Sequence, residues 1–258
     1  MKNRVLIDSC VLISASVNVS SKDLGFDIRH EFYYECNELI EYLEKNIARR
    51  IGIVTSTIEN EATGVLDRVV EGELESKKVR REEDFELFSR ILNICDGRLR
   101  KILSFLQREP VDAIDVSMKL PLIQRMYKEL KEKAKTLPQV ISERKRLVPK
   151  RFKRALDWYK IFKRQEEMEN SQSLNLLRKD VEYEDMLILA EAFHLCNLYL
   201  QTEVEKGDLY IASKDHHFVP IRRRGWTYEG RGVTDEIKRR FGVICEHPRR
   251  VKEQLLKG

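Results

Sequence analysis

Four acidic residues stand where apolar runs of the chain give way to helix-forming segments. Asp8 follows RVLI, Glu61 follows IGIVTSTIEN, Asp185 opens MLILAEAF, and Asp215 follows LYIAS. An open parallel sheet gathers the carboxyl ends of its strands along one edge, so acids in these positions are expected to converge. Two like charges 4 Å apart repel by about 4 kcal/mol at an effective dielectric near 20, so a carboxylate cluster calls for protonation or a bound cation. Oxygen donors that leave room for water suit Mg2+ or Mn2+. Such a cation lowers the pKa of water and stabilises a departing phosphodiester oxygen, which is nuclease chemistry. No Ser-His-Asp or Cys-His order accompanies the acids, so covalent catalysis has no support. Taken singly, each acid is accounted for as a helix cap or a first-turn acid facing the helix dipole. Four of them in equivalent places outweigh that account.

The elements that must hold these acids alternate at first. Val5, Leu6 and Ile7 read as a buried parallel strand. Phe32, Leu39, Ile40, Leu43 and Ile47 recur at helical spacing. Ile51 to Thr55 reads as a second strand, with Ser56 or Thr57 capping the helix that carries Glu61. This alternation predicts an α/β fold with a central parallel sheet. Between residues 65 and 179 it stops, and long charged helical stretches are predicted at about 82–107, 119–135 and 142–170. Their expected breaks are Pro110, Pro121, Pro138 and Pro149. In the first stretch Phe85, Phe88, Leu92, Leu99, Leu103 and Leu106 form the apolar stripe. The α/β pattern resumes near residue 180 with the Asp185 helix, a strand over Leu209 to Ala212, a strand from Phe241 to Cys245, and a closing helix after His247-Pro248. The domain organisation expected is therefore 1–64 and 180–258 as two halves of one α/β unit, with 65–179 a mainly helical basic insertion.

The 258 residues are 42% hydrophobic, enough for a sizeable core, and 35% charged, against roughly 25% in an average soluble protein. The apolar stretch near Met1, Val5 to Ile7, is three residues long, too short for a signal peptide or a membrane span, so a cytoplasmic location is expected. Five cysteines are dispersed singly with no C-x-x-C pair, which predicts buried free thiols. The Cys245-x-His247 pair has no partner pair at ligand spacing, so zinc is not expected there.

The ordered acids and their flanks resemble the PIN domains, a family of metal-dependent nucleases that act mostly on RNA. The likeness covers about residues 1–64 and 180–258. VLIDSC supplies Asp8 and Ser9, TSTIENEA supplies Glu61 with Glu59 a competitor, EDMLILAEA supplies Asp185, and IASKDHHF supplies Ser213, Asp215 and Phe218. The resemblance implies a three-layer α/β/α fold, Mg2+ or Mn2+ held by Asp8, Asp185, Asp215 and Glu61, and supporting hydrogen bonds from Ser9 and Ser213. It implies RNA, single-stranded, as the partner, and a homodimer as a common assembly. Two positions depart from the family pattern. Cys10 stands where many relatives have Asn, so one polar contact to the first Asp is expected to be missing. His217 stands where many have a second acid, beside His216; metal ligation, phosphate contact and packing are all open to it. The inserted block is absent from small toxin-type relatives, which weakens the expectation of an antitoxin partner.

That block is also where the positive charge lies. Between Arg125 and Arg164 fifteen Lys and Arg face four acids, a local charge of +11 in a chain of net +5. Salt-bridged helix faces alternate signs, whereas Glu143 to Arg154 carries seven basic residues and one acid. Arg144, Lys145 and Arg146 are thus nucleic-acid-binding candidates, followed by Lys150, Arg151, Lys153 and Arg154. Arg222, Arg223 and Arg224 follow the fourth motif and could reach phosphate at the same edge. Tyr127, Phe152, Trp158, Tyr159 and Phe162 interleave with the charge as base-stacking residues or, for most of them, as a helical apolar face. The function expected is a Mg2+/Mn2+-dependent endoribonuclease. Its alternatives are a structure-specific DNA nuclease and a non-catalytic RNA-binding protein of the same fold.

Overall fold

The computed structural model describes residues 3–18, 20–21, 26–27, 31–77, 84–147, 171–177, 179–201, 207–220, 222–223, 226–227 and 232–257. Among them the strands are β1 (Arg4–Ile7), β2 (Ser20–Ser21), β3 (Phe26–Asp27), β4 (Gly52–Val54), β5 (Gln107–Arg108), β6 (Leu209–Ala212), β7 (Arg222–Arg223), β8 (Trp226–Thr227) and β9 (Ile244–Glu246). The helices are α1 (Ser9–Val17), α2 (Glu31–Lys45), α3 (Ser56–Ser76), α4 (Phe85–Phe105), α5 (Ala113–Leu147), α6 (Ser171–Asn175), α7 (Tyr183–Gln201), α8 (Val233–Phe241) and α9 (Pro248–Leu255). The fold is α/β and mostly helical. A five-stranded sheet runs in the order β5-β4-β1-β6-β9 with every pairing parallel.

β1 lies at the centre because its sequence allows nothing else. Val5, Leu6 and Ile7 are fully buried, so both faces of the strand must be covered. Each such side chain contributes about 1.5–3 kcal/mol on leaving water. α1 follows at once and is buried all round, eight of its nine residues, three serines among them, lying among α2, α3 and α4. Its carboxyl end is closed by Arg98 of α4, whose guanidinium donates to the carbonyls of Asn18 (2.8 Å) and Ala15 (3.0 Å). A cation there complements the helix dipole.

The chain leaves β1 in one direction to form β4 and β5, then returns to form β6 and β9 on the other side. The winding reverses beside β1, so a crevice opens at the carboxyl ends of β1 and β6. Asp8 ends the first of these strands, and Ser213 and Asp215 follow the second.

Several expectations are corrected. Gln107–Arg108, read as part of a helical stretch, pairs with β4 as the sheet's edge strand. The boundary at residue 65 falls inside α3, which runs unbroken to Ser76. α5 continues through Pro121 and Pro138, so neither proline breaks it. Of the predicted stripe Phe88, Leu99, Leu103 and Leu106 are buried and Leu92 packs against the core, but Phe85 is exposed, and Ile91, Cys95 and Ile102 complete the buried face of α4. Phe241 ends α8 rather than beginning a strand; Gly242 follows in the left-handed conformation at φ 71° and turns the chain into β9. All five cysteines are free thiols, four of them buried. Among the described residues no helix is long and apolar enough to cross a membrane.

Candidate functional site

Asp8 is positioned as a helix N-cap, yet its side chain makes no capping hydrogen bond. The carboxylate is committed elsewhere. Ser213 donates to Oδ2 at 2.5 Å, the Cys10 thiol donates to the same oxygen at 3.0 Å, and the Ser9 hydroxyl lies 3.3 Å from Oδ1. Burial pushes the Asp8 carboxyl above the usual range; the Cys10 and Ser213 hydrogen bonds oppose this, and the charges of Asp185 and Asp215 add to it. Cys10 thus supplies the polar contact that its departure from Asn was expected to remove. Burial, and then the neighbouring Asp8, push its thiol pKa well up, so it remains an S–H donor.

Glu61 enters from the second turn of α3, whose N-cap is Thr55, one residue before the predicted caps; the Thr55 hydroxyl accepts from the Ile58 amide. Half-buried, Glu61 is pushed up to about 7, first by desolvation and then by Asp8. A Ser9 hydrogen bond opposes the shift, and Asp185 and Glu184 reinforce it. Its Oε2 is buried with no hydrogen-bond partner. Glu59, the competing acid, instead pairs with Arg108 at 2.6 Å.

Asp185, in the first turn of α7, and Asp215, beyond β6, meet at His217. The His217 ring Nδ1 lies 2.9 Å from Asp185 Oδ2 and 3.1 Å from Asp215 Oδ1, and the side chain is fully buried. The turn is self-bracing: the His217 amide donates to Asp215 Oδ1 at 2.8 Å, and the Asp215 amide donates to Ser213 Oγ at 2.9 Å. His216 Nδ1 stands 3.5 Å from Asp215 Oδ1. One donor atom each from Asp215, His216 and His217 lies within 4.8 Å of the others. The charges of Asp185 and Asp215 act on Asp8, and those of Asp8 and Asp185 act on Glu61, so the four sequence-predicted acids share one edge of the sheet.

Three contributors escaped sequence reading. Tyr127 of α5, weighed as a base-stacking aromatic, is buried and donates its hydroxyl to the His217 carbonyl at 3.0 Å. Gln172 of α6 donates to the His216 carbonyl at 3.0 Å and to Thr234 Oγ1 at 2.8 Å, and Thr234 in turn donates to the Phe218 carbonyl. The segment between the two sheet halves therefore holds the acid-bearing turn directly. Glu191 of α7, 5% exposed, accepts from Thr55 (2.6 Å) and Thr57 (2.5 Å). It ties α7, the helix of Asp185, to the start of α3, the helix of Glu61. Its signal in the sequence was a lone acid inside LILAEAF.

The basic candidates are placed less fully. Lys150, Arg151, Lys153, Arg154 and Arg224 lie outside the described residues, as do Phe152, Trp158, Tyr159 and Phe162. Arg144, Lys145 and Arg146 are on α5, and Arg222 and Arg223 form β7, but their side chains lie outside what is described. Comparison of the chain with protein-family models, with curated proteins and with solved structures gives no match, so the chemistry of this site rests on its own residues.

Proposed function

We propose that the protein is a PIN-like, three-layer α/β/α, divalent-cation-dependent endonuclease that hydrolyses RNA phosphodiesters at the crevice beside β1. The observation that carries this reading is the convergence of Asp8, Glu61, Asp185 and Asp215 at the carboxyl edge of the parallel sheet. The donor set fits a small dication. Asp215, His216 and His217 each offer one ligand atom within 4.8 Å of the others, while Asp185 and Asp215 also face His217 Nδ1. The bare Oε2 of Glu61 and the upward shifts of both Asp8 and Glu61 describe a group short of positive charge. Mg2+ or Mn2+ would supply Lewis acidity towards water and the phosphodiester.

The chain's own residues would do the rest. Ser9, Cys10 and Ser213 hold the Asp8 carboxylate in one orientation, so little reorganisation remains when charge develops. Glu61, with one carboxylate oxygen bare beside Asp8, is placed to hold a cation or to orient an attacking water. Beside the site a cavity of about 280 Å3 is lined by Tyr127, Leu176, Val181 and Met186, the residue after Asp185, together with Lys128 and the Lys131–Asp180 ion pair. RNA rather than DNA as the substrate rests on the family resemblance and on the basic run from Arg144 to Arg154.

The test is cleavage of labelled single-stranded RNA beside single-stranded and flapped DNA, with Mg2+, with Mn2+ and with chelator. Cation-dependent RNA cleavage, lost in Asp8→Asn and Asp215→Asn variants that keep the wild-type circular dichroism, is the expected result. Undiminished cleavage in both variants overturns the assignment. Cleavage confined to DNA moves it to a structure-specific DNA nuclease.

A further inference from the structure

Two imidazoles stand among these acids, and their hydrogen bonding is incomplete. His217 is wholly buried; its Nδ1 faces Asp185 and Asp215, while its Nε2 has no partner. His216 Nε2 is likewise buried and bare, and the two rings lie 4.3 Å apart, tilted by 49°. A neutral imidazole carries one N–H and one lone pair. If His217 donates from Nδ1 to the carboxylates, a lone pair is left buried at Nε2. The other tautomer aims a lone pair at two carboxylates and strands an N–H. A doubly protonated ring strands an Nε2–H. No group of the protein completes this ring: with Nδ1–H donated to the carboxylates the Nε2 lone pair is left free, as in a metal-bound histidine that uses one nitrogen as ligand and offers the other to a carboxylate. A buried polar group without a partner is rare enough to need a reason.

We propose that His217 and His216, with Asp215, make this a nitrogen-containing cation site that binds first-row transition-metal dications, Zn2+ above Mn2+, in preference to Mg2+. The proposal rests on the nuclease reading only in placing the cation among the same acids. Its physical basis is ligand type. Mg2+ is hard and dehydrates reluctantly, and it takes oxygen donors almost exclusively. Imidazole suits borderline ions, and affinity for nitrogen donors rises from Mn2+ towards Zn2+. A site of carboxylates alone would separate these ions far less. The position where a second acid was expected carries His217 instead, so the substitution exchanges a charged oxygen donor for a neutral nitrogen one.

The experiment uses the full chain and the metals alone. Mn2+ binding is followed by electron paramagnetic resonance, with competition by Mg2+ and by Zn2+, and pulsed spectra of the bound ion are searched for 14N coupling. Expected are 14N coupling in the wild type, Mn2+ bound at least tenfold tighter than Mg2+, and displacement of Mn2+ by equimolar Zn2+. His217→Gln should lose most of the nitrogen coupling and roughly tenfold or more in Mn2+ affinity, with Mg2+ affinity changed severalfold less. Because His217 is buried, circular dichroism checks its fold, and His216→Gln, at a side chain 23% exposed, is a second variant expected to weaken Mn2+ binding in the same sense. Bound Mn2+ without 14N coupling, no Mn2+ binding, or an unchanged Mn2+-to-Mg2+ ratio in both variants overturns the proposal. Nitrogen coupling with no cleavage of RNA or DNA removes the nuclease reading and keeps the cation site. Cleavage with no nitrogen coupling does the reverse.

Discussion

Glu61→Gln should make the cation-free protein more stable and, on the proposed nuclease reading, slow its cleavage of RNA. The Glu61 carboxyl is raised from 4.5 to about 7 because folding moves it out of water and beside Asp8. A carboxyl whose pKa is higher in the folded state binds its proton more tightly there, so its ionisation works against folding. Below about pH 4.5 the group is protonated in both states and contributes nothing. Between about pH 4.5 and 7 the opposition grows, and above pH 7 it is complete. The shift corresponds to about 3 kcal/mol undiscounted; the side chain is only half-buried, so solvent screening reduces this to about 1–2 kcal/mol. Removing the charge should therefore raise stability by about 1–2 kcal/mol at pH 8 and leave it unchanged near pH 4. In a chain of this size 1 kcal/mol moves Tm by about 2–4 °C. The assay is urea denaturation of both proteins in chelator at pH 8 and pH 4, repeated at pH 8 with saturating Mn2+. In the last condition the wild type should gain stability by ligand linkage and the variant should gain less. A variant no more stable than wild type at pH 8, or a difference that ignores pH, would refute the account of Glu61 as a buried member of a charge-starved cluster.

Other substitutions probe the supports. Tyr127→Phe removes the only change-sensitive atom of that side chain, the hydroxyl on the His217 carbonyl, and should cost about 1–2 kcal/mol in urea denaturation. The cleavage rate should fall with it, because the turn bearing Asp215 loses a brace. Glu191→Ala leaves the Thr55 and Thr57 hydroxyls without their acceptor and should cost about 1–3 kcal/mol, with Glu191→Gln recovering part of it. Gly242→Ala forces an L side chain to φ 71° and sets a Cβ 3.3 Å from the Cys196 sulfur. It should lower stability by about 1–2 kcal/mol and leave the kcat of the remaining folded protein intact.

What could be read in the chain was the part dictated by local pattern. VLI before Asp8 and LYIA before Ser213 are apolar throughout, and short apolar runs of this kind suit interior parallel strands. His247-Pro248 announced a helix start because proline is suited to the first helical position. β5 escaped because a two-residue edge strand has no period to detect, and Gln107–Arg108 earns its place only by pairing with β4. Pro121 and Pro138 misled because the packing of α5 against α7 outweighs the lost backbone hydrogen bonds. Within the site, the acids were legible by type and position. The partners of His217, Tyr127 and Glu191 were not, since each lies across a separation that no spacing rule covers. Cys10 was misjudged for a different reason: a thiol held protonated by burial donates where an amide would have.

The Ser213–Asp8 hydrogen bond spans 205 positions, and β1, the central strand, meets β6 only across the same interval. At a synthesis rate of roughly 5–20 residues per second, one side of β1 stays open for about 10–40 s after it emerges. An unpaired apolar edge is the element most prone to join another chain. Until β6 arrives, Asp8 also lacks the Ser213 hydroxyl, His217 is absent, and no group of acids exists. On the proposed nuclease reading, the newborn chain therefore carries no cleavage site until then. The same wait that exposes the strand postpones assembly of the site, and both end in one step when β6 docks.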